Sequence, residues 1–290
     1  MILVTRAAGL SGSAVVREFS RNGVPVRALV RDRSKVGALL AGLPHVELVD
    51  GDKARAETLG LVLEGVDRVL LISSANPQML ETQCRFVHVK AVGVAHVVKF
   101  SGKESGIGFD AKNFRFTRMH EEIERYLEAC GPAWTHLRPS QFMQVYLREA
   151  PTIASKGLLL LPLDDVRLSP VDIEDIAKIA FALLTQGGHR SRAFDITGPQ
   201  ALSMAEIAAA IGEAIGKPVR YQNVRPGDRC RALAAGLPPF MVDALDEQAA
   251  ERRRHPDSRV ELGTHALFGV KPTTFAEFAR RHAAAFRGER

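Results

Sequence analysis

The sequence predicts an α/β protein: a doubly wound parallel sheet with a smaller, mostly helical C-terminal lobe. Three observations predict it. Residues 2–4 form a short apolar run that breaks into Thr5-Arg6-Ala7-Ala8-Gly9-Leu10-Ser11-Gly12 and then into a helical pattern over 13–21, which is strand, tight turn and helix. Apolar runs of strand length then alternate with helical periods as far as about Met143, the rhythm of parallel strands joined by right-handed crossovers. The run 68–72 is nearly all apolar, as a strand covered by helices on both faces must be.

The second strand spans 24–30 and runs into Arg31-Asp32-Arg33-Ser34-Lys35, where Asp32 is placed to cap a helix starting near Ser34. A third strand, 46–49, ends at Asp50-Gly51-Asp52, and a helix over 54–64 is stopped by Gly65. The fourth strand, 68–72, opens into Ser73-Ser74-Ala75-Asn76-Pro77. A helix over 79–92 and a fifth strand over 96–100 follow, ending in Ser101-Gly102-Lys103. Residues 106–116 read as irregular, 117–130 as a helix closed by Gly131-Pro132, and 134–137 as the sixth strand, leading into Arg138-Pro139-Ser140-Gln141-Phe142-Met143.

Beyond Met143 the pattern loosens. A strand over 157–161 falls outside the first sheet, while an amphipathic helix over 172–184 and a strand over 192–197 return to it. The remainder is helical over 203–215, 228–235, 239–253 and 273–286, with a short strand at 219–223, and Ser203 with Glu206 has capping-box spacing. The expected division is 1–150 with 170–198 returning to it, against a smaller lobe of 151–169 and 199–290. No repeat, low-complexity tract or long linker interrupts the chain.

A length of 290 residues suits one large domain or two modest ones, and 46% hydrophobic with 25% charged residues is ordinary globular composition. The net charge of +6 favours anionic ligands. The densest basic stretch, Arg252-Arg253-Arg254-His255, has no interleaved aromatics and reads as a solvated face, so no nucleic-acid partner is expected. Cys84, Cys130 and Cys230 are odd in number and far apart, which suits a reducing compartment and implies neither a disulfide framework nor a zinc site. Apolar runs such as 157–163 are too short to span a bilayer, and a chain opening on a strand is not expected to carry a signal peptide. The expectation is a cytoplasmic monomer or homodimer without a membrane partner.

The first turn is where a dinucleotide pyrophosphate sits in folds of this kind, because small residues admit the phosphates and the helix N-terminus supplies positive charge. Gly9 and Gly12 stand at the second and third glycine positions, Arg6 occupies the first, and Thr5, Ala8 and Leu10 complete the turn. After the second strand an NAD site wants an acid for the ribose 2′-hydroxyl; Arg31, Arg33 and Lys35 suit a 2′-phosphate instead, so NADPH is expected over a weaker NADH. Asp52 faces either the adenine edge or its own helix as N-cap. Ser73, Ser101, Arg138 and Pro139 stand at carboxyl ends of strands, where ligands gather. Asn76, Phe109, Gln141, Phe142 and Met143 are candidates for the wall of a flat substrate site, with core packing as the alternative for each.

A Tyr followed four residues later by Lys, the pair that serves carbonyl reduction in many such folds, is absent: Tyr126, Tyr146 and Tyr221 are followed by Cys130, Ala150 and Arg225. The helix in the corresponding place carries His120 and Glu124, one turn apart on one face. The imidazole can donate a proton or orient a nicotinamide, with the carboxylate holding its tautomer. The alternative is a surface histidine beside a helix-stabilising carboxylate. No Gly-x-Ser-x-Gly elbow follows a strand and no His-Glu-x-x-His is present, so neither a hydrolase nor a metal site is expected.

With residues 5–12, Asp50 to Asp52, His120 with Glu124, and Arg138-Pro139 followed by Phe142-Met143 in register, the chain resembles the NmrA-like branch of atypical short-chain dehydrogenases. Within it, the flavin-free NAD(P)H-dependent reductases of quinones, azo dyes and triphenylmethane dyes are the most similar. The stretches 169–177, 194–200 and 202–208 extend the resemblance over nearly the whole chain. It implies a Rossmann fold, a nicotinamide cofactor without flavin or metal, and a small aromatic or conjugated substrate. In the related isoflavone-reductase-like enzymes a lysine lies eleven residues before the glycine ending this helix, and the same count back from Gly131 reaches His120. The family's Thr-Gly-Ala is here Thr5-Arg6-Ala7, so Arg6 either obstructs the phosphate or reaches it. The expected function is an NADPH-preferring reductase passing hydride directly to an azo dye or quinone; the alternative is an NADP(H)-binding redox sensor with little or no turnover.

Overall fold

The computed structural model describes residues 1–36, 40–90, 93–102, 108–234 and 236–289. In chain order the elements are β1 (Ile2–Val4), α1 (Leu10–Arg21), β2 (Val26–Val30), β3 (Val46–Asp50), α2 (Gly60–Leu63), β4 (Arg68–Leu71), α3 (Met79–Lys90), β5 (His96–Phe100), α4 (Arg115–Ala129) and β6 (Ala133–Pro139). There follow α5 (Ala150–Lys156), β7 (Leu158–Leu161), β8 (Arg167–Leu168), α6 (Ile173–Gln186), β9 (Arg192–Ile196), β10 (Leu202–Ser203), α7 (Met204–Ile215) and β11 (Arg220–Asn223). The chain closes with α8 (Pro226–Ala234), α9 (Pro239–Arg254), α10 (Gly263–Phe268), α11 (Phe275–Arg281) and α12 (Ala283–Phe286). The chain divides into two compact units: Met1–Ser101, Met119–Arg138 and Ile176–Phe194 in the first, and Gly102–Arg118, Pro139–Asp175 and Asp195–Arg290 in the second. Residues 102–118, 139–150, 170–175 and 195–198, grouped with the sheet from the sequence, fall in the second unit.

The first unit carries the expected doubly wound sheet, in the order β3-β2-β1-β4-β5-β6-β9, with parallel pairing from β3 through β6. Strand order reverses at β1, which lies between β2 and β4, and in open sheets of this kind the ligand crevice lies at such a reversal, beyond the carboxyl ends of the strands. Leu3, Leu29, Val69, Leu71 and Val97 pack with Phe86, Val87 and Leu127 of α3 and α4. Their chain neighbours Val4, Leu70 and Val98 point to the other face and are equally buried, as a sheet covered on both sides requires. Phe19 of α1 meets Phe181 of α6 edge-on at 4.9 Å.

The second unit has its own core, built from Met143, Tyr146, Met204, Ile207, Ile211, Phe275, Phe278 and Phe286. Two small sheets flank it: β8 pairs antiparallel with β10, and β7 parallel with β11. The capping box expected at Ser203 and Glu206 is present, and a second one, Thr274 with Glu277, opens α11.

Several boundaries differ from the sequence expectation for identifiable reasons. The second strand starts at Val26 rather than Val24, because Pro25 has no N–H to pair and the Val24 N–H is spent on the Phe19 carbonyl. The helix expected over 54–64 is a 3₁₀ turn at Ala56–Thr58 followed by the one-turn α2. The Thr58 hydroxyl accepts the Asp52 N–H at 2.9 Å and donates to backbone carbonyls, competing with helical bonding. The helix expected over 273–286 breaks at His282 into α11 and α12. Residues 143–149 wind into an unexpected 3₁₀ stretch ahead of α5, and α10, β8 and β10 were also not expected. The basic run is a solvated face only in part: Arg254 is exposed and pairs with Glu251 at 2.8 Å, but Arg252 is buried and Arg253 donates to the Pro162 carbonyl at 2.8 Å. Val92, Lys103, Gly106 and Ala235, which fell within expected elements, lie outside the described residues. Among the described residues no helix is long and apolar enough to cross a membrane.

The Thr274 cap yields a stability test. Thr274→Ala should cost about 1 kcal/mol, a drop of a few degrees in Tm, while Thr274→Ser should retain wild-type stability. A urea titration followed by circular dichroism checks both.

Candidate active site

The edge of the first unit is set by the turn after β1. Thr5 is fully buried; its hydroxyl donates to the Ile72 carbonyl at 2.9 Å and accepts the Ile72 N–H at 2.8 Å. The Thr5 N–H bonds the Leu70 carbonyl and the Ala7 N–H the Leu29 carbonyl, so the turn is pinned to the strands on both sides. Arg6 sits at φ +51°, in the left-handed region where glycine is favoured, which costs a larger residue about 1 kcal/mol. A Cβ on Gly12 would lie 2.3 Å from the Arg6 carbonyl oxygen, so only glycine lets α1 approach the turn this closely. The Arg6 side chain lies back over Gly9, whose Cβ would meet its Cγ and Nε at 3.2 Å, and its Nη1 donates to the Ser73 carbonyl at 3.1 Å. Gly9 caps α1 without a side-chain hydrogen bond, and no acidic residue stands in the first helical turn. An uncapped helix N-terminus over a glycine-bearing turn, with cations beside it, fits a dinucleotide phosphate.

The structure separates the basic residues after β2. Arg31 lies exposed and close enough to Arg6 that partial burial and Arg31 together lower the Arg6 pKa. Arg33 is engaged with Asp50, through its backbone N–H at 2.6 Å and its Nε at 2.7 Å. Asp32 caps the short 3₁₀ turn Arg33–Lys35 by accepting the Ser34 N–H at 3.0 Å, and the Lys35 side chain lies outside the described residues. The Asp52 carboxylate accepts the Ala54 N–H at 2.9 Å, the capping alternative.

Sequence reasoning passed over Lys53. Its Nζ donates to the Ile72 carbonyl and, at 3.1 Å, to the Ser73 hydroxyl. Burial first, then Arg6, pushes this amine down to about 7, with Asp52 opposing. The available signal was a lysine in the loop after a strand's carboxyl end, three residues past Asp50. Asn76 also lies at this edge, and its Oδ1 is buried without a hydrogen-bond partner.

His120 and Glu124 both sit on α4, but they do not pair. His120 Nδ1 is 2.7 Å from Nζ of Lys99, a fully buried lysine on β5. An ammonium has donors only, so Nδ1 accepts and the imidazole proton stays on Nε2. Burial and the Lys99 charge both hold the His120 pKa well below the ordinary histidine value, which keeps the ring neutral. The expectation that Glu124 fixes the tautomer is corrected: its carboxylate turns to Arg138, which donates through Nε at 3.1 Å and Nη2 at 2.6 Å. Burial works to raise the Glu124 pKa, but Arg138 and His136 outweigh it and hold the carboxyl below its usual range. A nearly buried carboxylate takes the bidentate cation, and the imidazole is left to the lysine. Ser101, at the end of β5, is buried.

The other candidates belong to the second unit. Phe109 is buried and stacks edge-on with Phe114 at 5.5 Å, and Phe116 continues the series to Phe240. Met143 is in the core, and Phe142 bridges to Val171. Gln141 and Pro139 are buried. Among the described residues no His/Cys/Asp/Glu group could hold a metal ion, and all three cysteines are free.

A doubly wound sheet of this strand order, with a glycine-bearing first turn and no Tyr/Lys pair, is the architecture of the atypical short-chain dehydrogenases. Residues 1–279 match the NmrA-like family, and the chain belongs to it. It is 36% identical over 288 residues to an NAD(P)H azoreductase of Xenophilus azovorans, covering 99% of each chain. It is 31% identical over 287 residues to quinone oxidoreductase 2 of Escherichia coli, covering 96% of each. The crystal structure of the Escherichia coli NADPH-dependent quinone oxidoreductase complexed with NADPH superposes with a TM-score of 0.83 at 26% identity, over 97% of this chain and 99% of that one.

The Lys99–His120 contact predicts a histidine that does not titrate in the usual range. In ¹⁵N-resolved NMR, His120 should stay neutral with its proton on Nε2 through the range in which an ordinary histidine titrates, and Lys99→Met should raise its pKa toward the ordinary value of about 6.5. An ordinary titration in the wild type contradicts the assignment.

Proposed function

We propose that the chain is an NADPH-preferring, flavin-free oxidoreductase that passes hydride directly from nicotinamide to a conjugated electrophile, a quinone or an azo bond, as a cytoplasmic monomer or homodimer. The observation that carries it is the 2.7 Å contact of His120 Nδ1 with the buried Lys99 Nζ, which leaves Nε2 to carry the ring's proton, on the same sheet unit as the uncapped, cation-lined turn. The full-length likeness to an azoreductase and a quinone oxidoreductase supports the choice of acceptor. The turn from Thr5 to Gly12, with Arg31 and Ser73, would hold the cofactor. When bound, it supplies the hydride.

The protein's own part is to bind, orient and protonate. Reduction of a quinone or azo group consumes one hydride and one proton; His120 Nε2 gives that proton up as Nδ1 takes one from the Lys99 ammonium, so the ring stays neutral. Lys99, hydrogen-bonded to Nδ1, supplies the replacement proton and spares the neutral ring from becoming an imidazolate. An electron-poor acceptor asks less of its acid than a ketone does, which fits the missing Tyr/Lys pair. Asn76, with its unpartnered Oδ1, is a polar contact for ligand N–H. Arg31, free of any carboxylate hydrogen bond among the described residues, takes the 2′-phosphate.

Acceptor-dependent NADPH oxidation with a simple quinone and an azo dye tests this. Arg31→Ala should raise KM for NADPH about tenfold to a hundredfold and leave KM for NADH nearly unchanged. His120→Ala should lower kcat about a hundredfold at unchanged KM for NADPH. NADPH binding without turnover on either acceptor favours the redox sensor instead.

A further inference from the structure

Two cations grip one dipeptide at the crevice. Arg6, from the turn after β1, donates to the Ser73 carbonyl at 3.1 Å, and Lys53, from the loop after β3, donates to the Ile72 carbonyl and to the Ser73 hydroxyl at 3.1 Å. In the strand order β3-β2-β1-β4, Lys53 therefore reaches across the ends of β2 and β1 to β4, over the point where strand order reverses. Arg31 adds its charge from the loop after β2, and Asp52, beside Lys53, opposes it from the acidic side. Among the described residues, none of the three cations is hydrogen-bonded to a carboxylate. Like charges so placed repel, and a doubly charged anion between them relieves both the repulsion and the burial.

We propose that Arg6 and Lys53 together form the seat for the dinucleotide's pyrophosphate, substituting two cations for the glycine that the family places at residue 6, and that Lys53 takes up a proton as the pyrophosphate arrives. The proposal rests on the nucleotide-binding half of the function above. The free amine, held at about 7, is already charged in acid, where binding is strongest. A bound anion raises the amine's pKa. Above neutrality binding must then import a proton, and Kd rises by up to about tenfold per pH unit until the bound-state value is passed.

Titration calorimetry near pH 8, in two buffers of different ionisation enthalpy, reads that proton directly. The probes are NADPH, and NADH with ADP-ribose, which carry a pyrophosphate but no 2′-phosphate. All three should take up close to one proton. Lys53→Met should abolish the uptake and flatten the pH dependence of Kd, while Lys53→Arg should bind without uptake at any pH. Arg6→Gly, which relieves the left-handed backbone, should reduce the uptake in part, because one of the charges opposing the Lys53 ammonium is gone while its burial remains. Uptake with NADPH alone would move the anion to the 2′-phosphate and overturn the proposal. So would tight binding without uptake, which leaves the reductase function standing. Failure of NADPH to bind at all defeats both.

Discussion

The site depends on one buried hydroxyl. Thr5 both donates to and accepts from Ile72, joining the carboxyl ends of β1 and β4 where the strand order turns back. Losing a buried hydroxyl that satisfies a backbone N–H costs about 1–3 kcal/mol. More follows from position than from energy. The same contact fixes where the next residue must bend, and Arg6 bends there into the left-handed region. Its carbonyl then comes so close to Gly12 that α1 can begin only at that distance from the sheet. Strand, turn and helix terminus are thus tied together, and the N–H groups at the helix start are aimed by a threonine whose own side chain is fully buried.

On this frame the two lysines of the first unit solve opposite problems. Lys99 is buried within β5 and bonds to a neutral imidazole. Its charge is used to keep a second charge from forming on His120. Lys53 bonds only to uncharged oxygens and stands beside two arginines, so its own charge is the one suppressed. The Glu124–Arg138 fork adds a third arrangement, in which a nearly buried carboxylate is kept ionised by a bidentate partner. Along one sheet edge, protonation is set three ways: by repulsion on a neighbour, by repulsion on the group itself, and by pairing.

How far the sequence revealed this follows from the range of each interaction. The turn, its two glycines, and the Asp32 cap are local, because the residues that make them lie within a few positions of one another. His120 was findable from helical spacing and its distance to Gly131. Its partner was not: Lys99 lies on another element, and the i, i+4 rule pointed to Glu124 instead. The same rule failed for Glu124, whose partner is on the following strand. Lys53 was hidden twice, since its acceptors follow β4 and the helix expected over 54–64 gave the loop a different shape. Thr58 unwinds that helix through its hydroxyl, and pattern reasoning does not register a side chain that competes with the backbone.

Replacing the family's first glycine with arginine is therefore not simply a loss. The left-handed backbone costs about 1 kcal/mol, whereas a single charge-assisted hydrogen bond contributes about 1.5–3 kcal/mol. The exchange favours binding only if the side chain meets an anion, and its fold over Gly9 toward Ser73 keeps the exposed guanidinium beside the turn. Glycine at this position lets a phosphate approach bare backbone; arginine lets the phosphate approach a charge instead, at the expense of a second cation that must share the space. Lys53 can share it because, unlike a guanidinium, an amine can give up its proton until the anion is there to hold it.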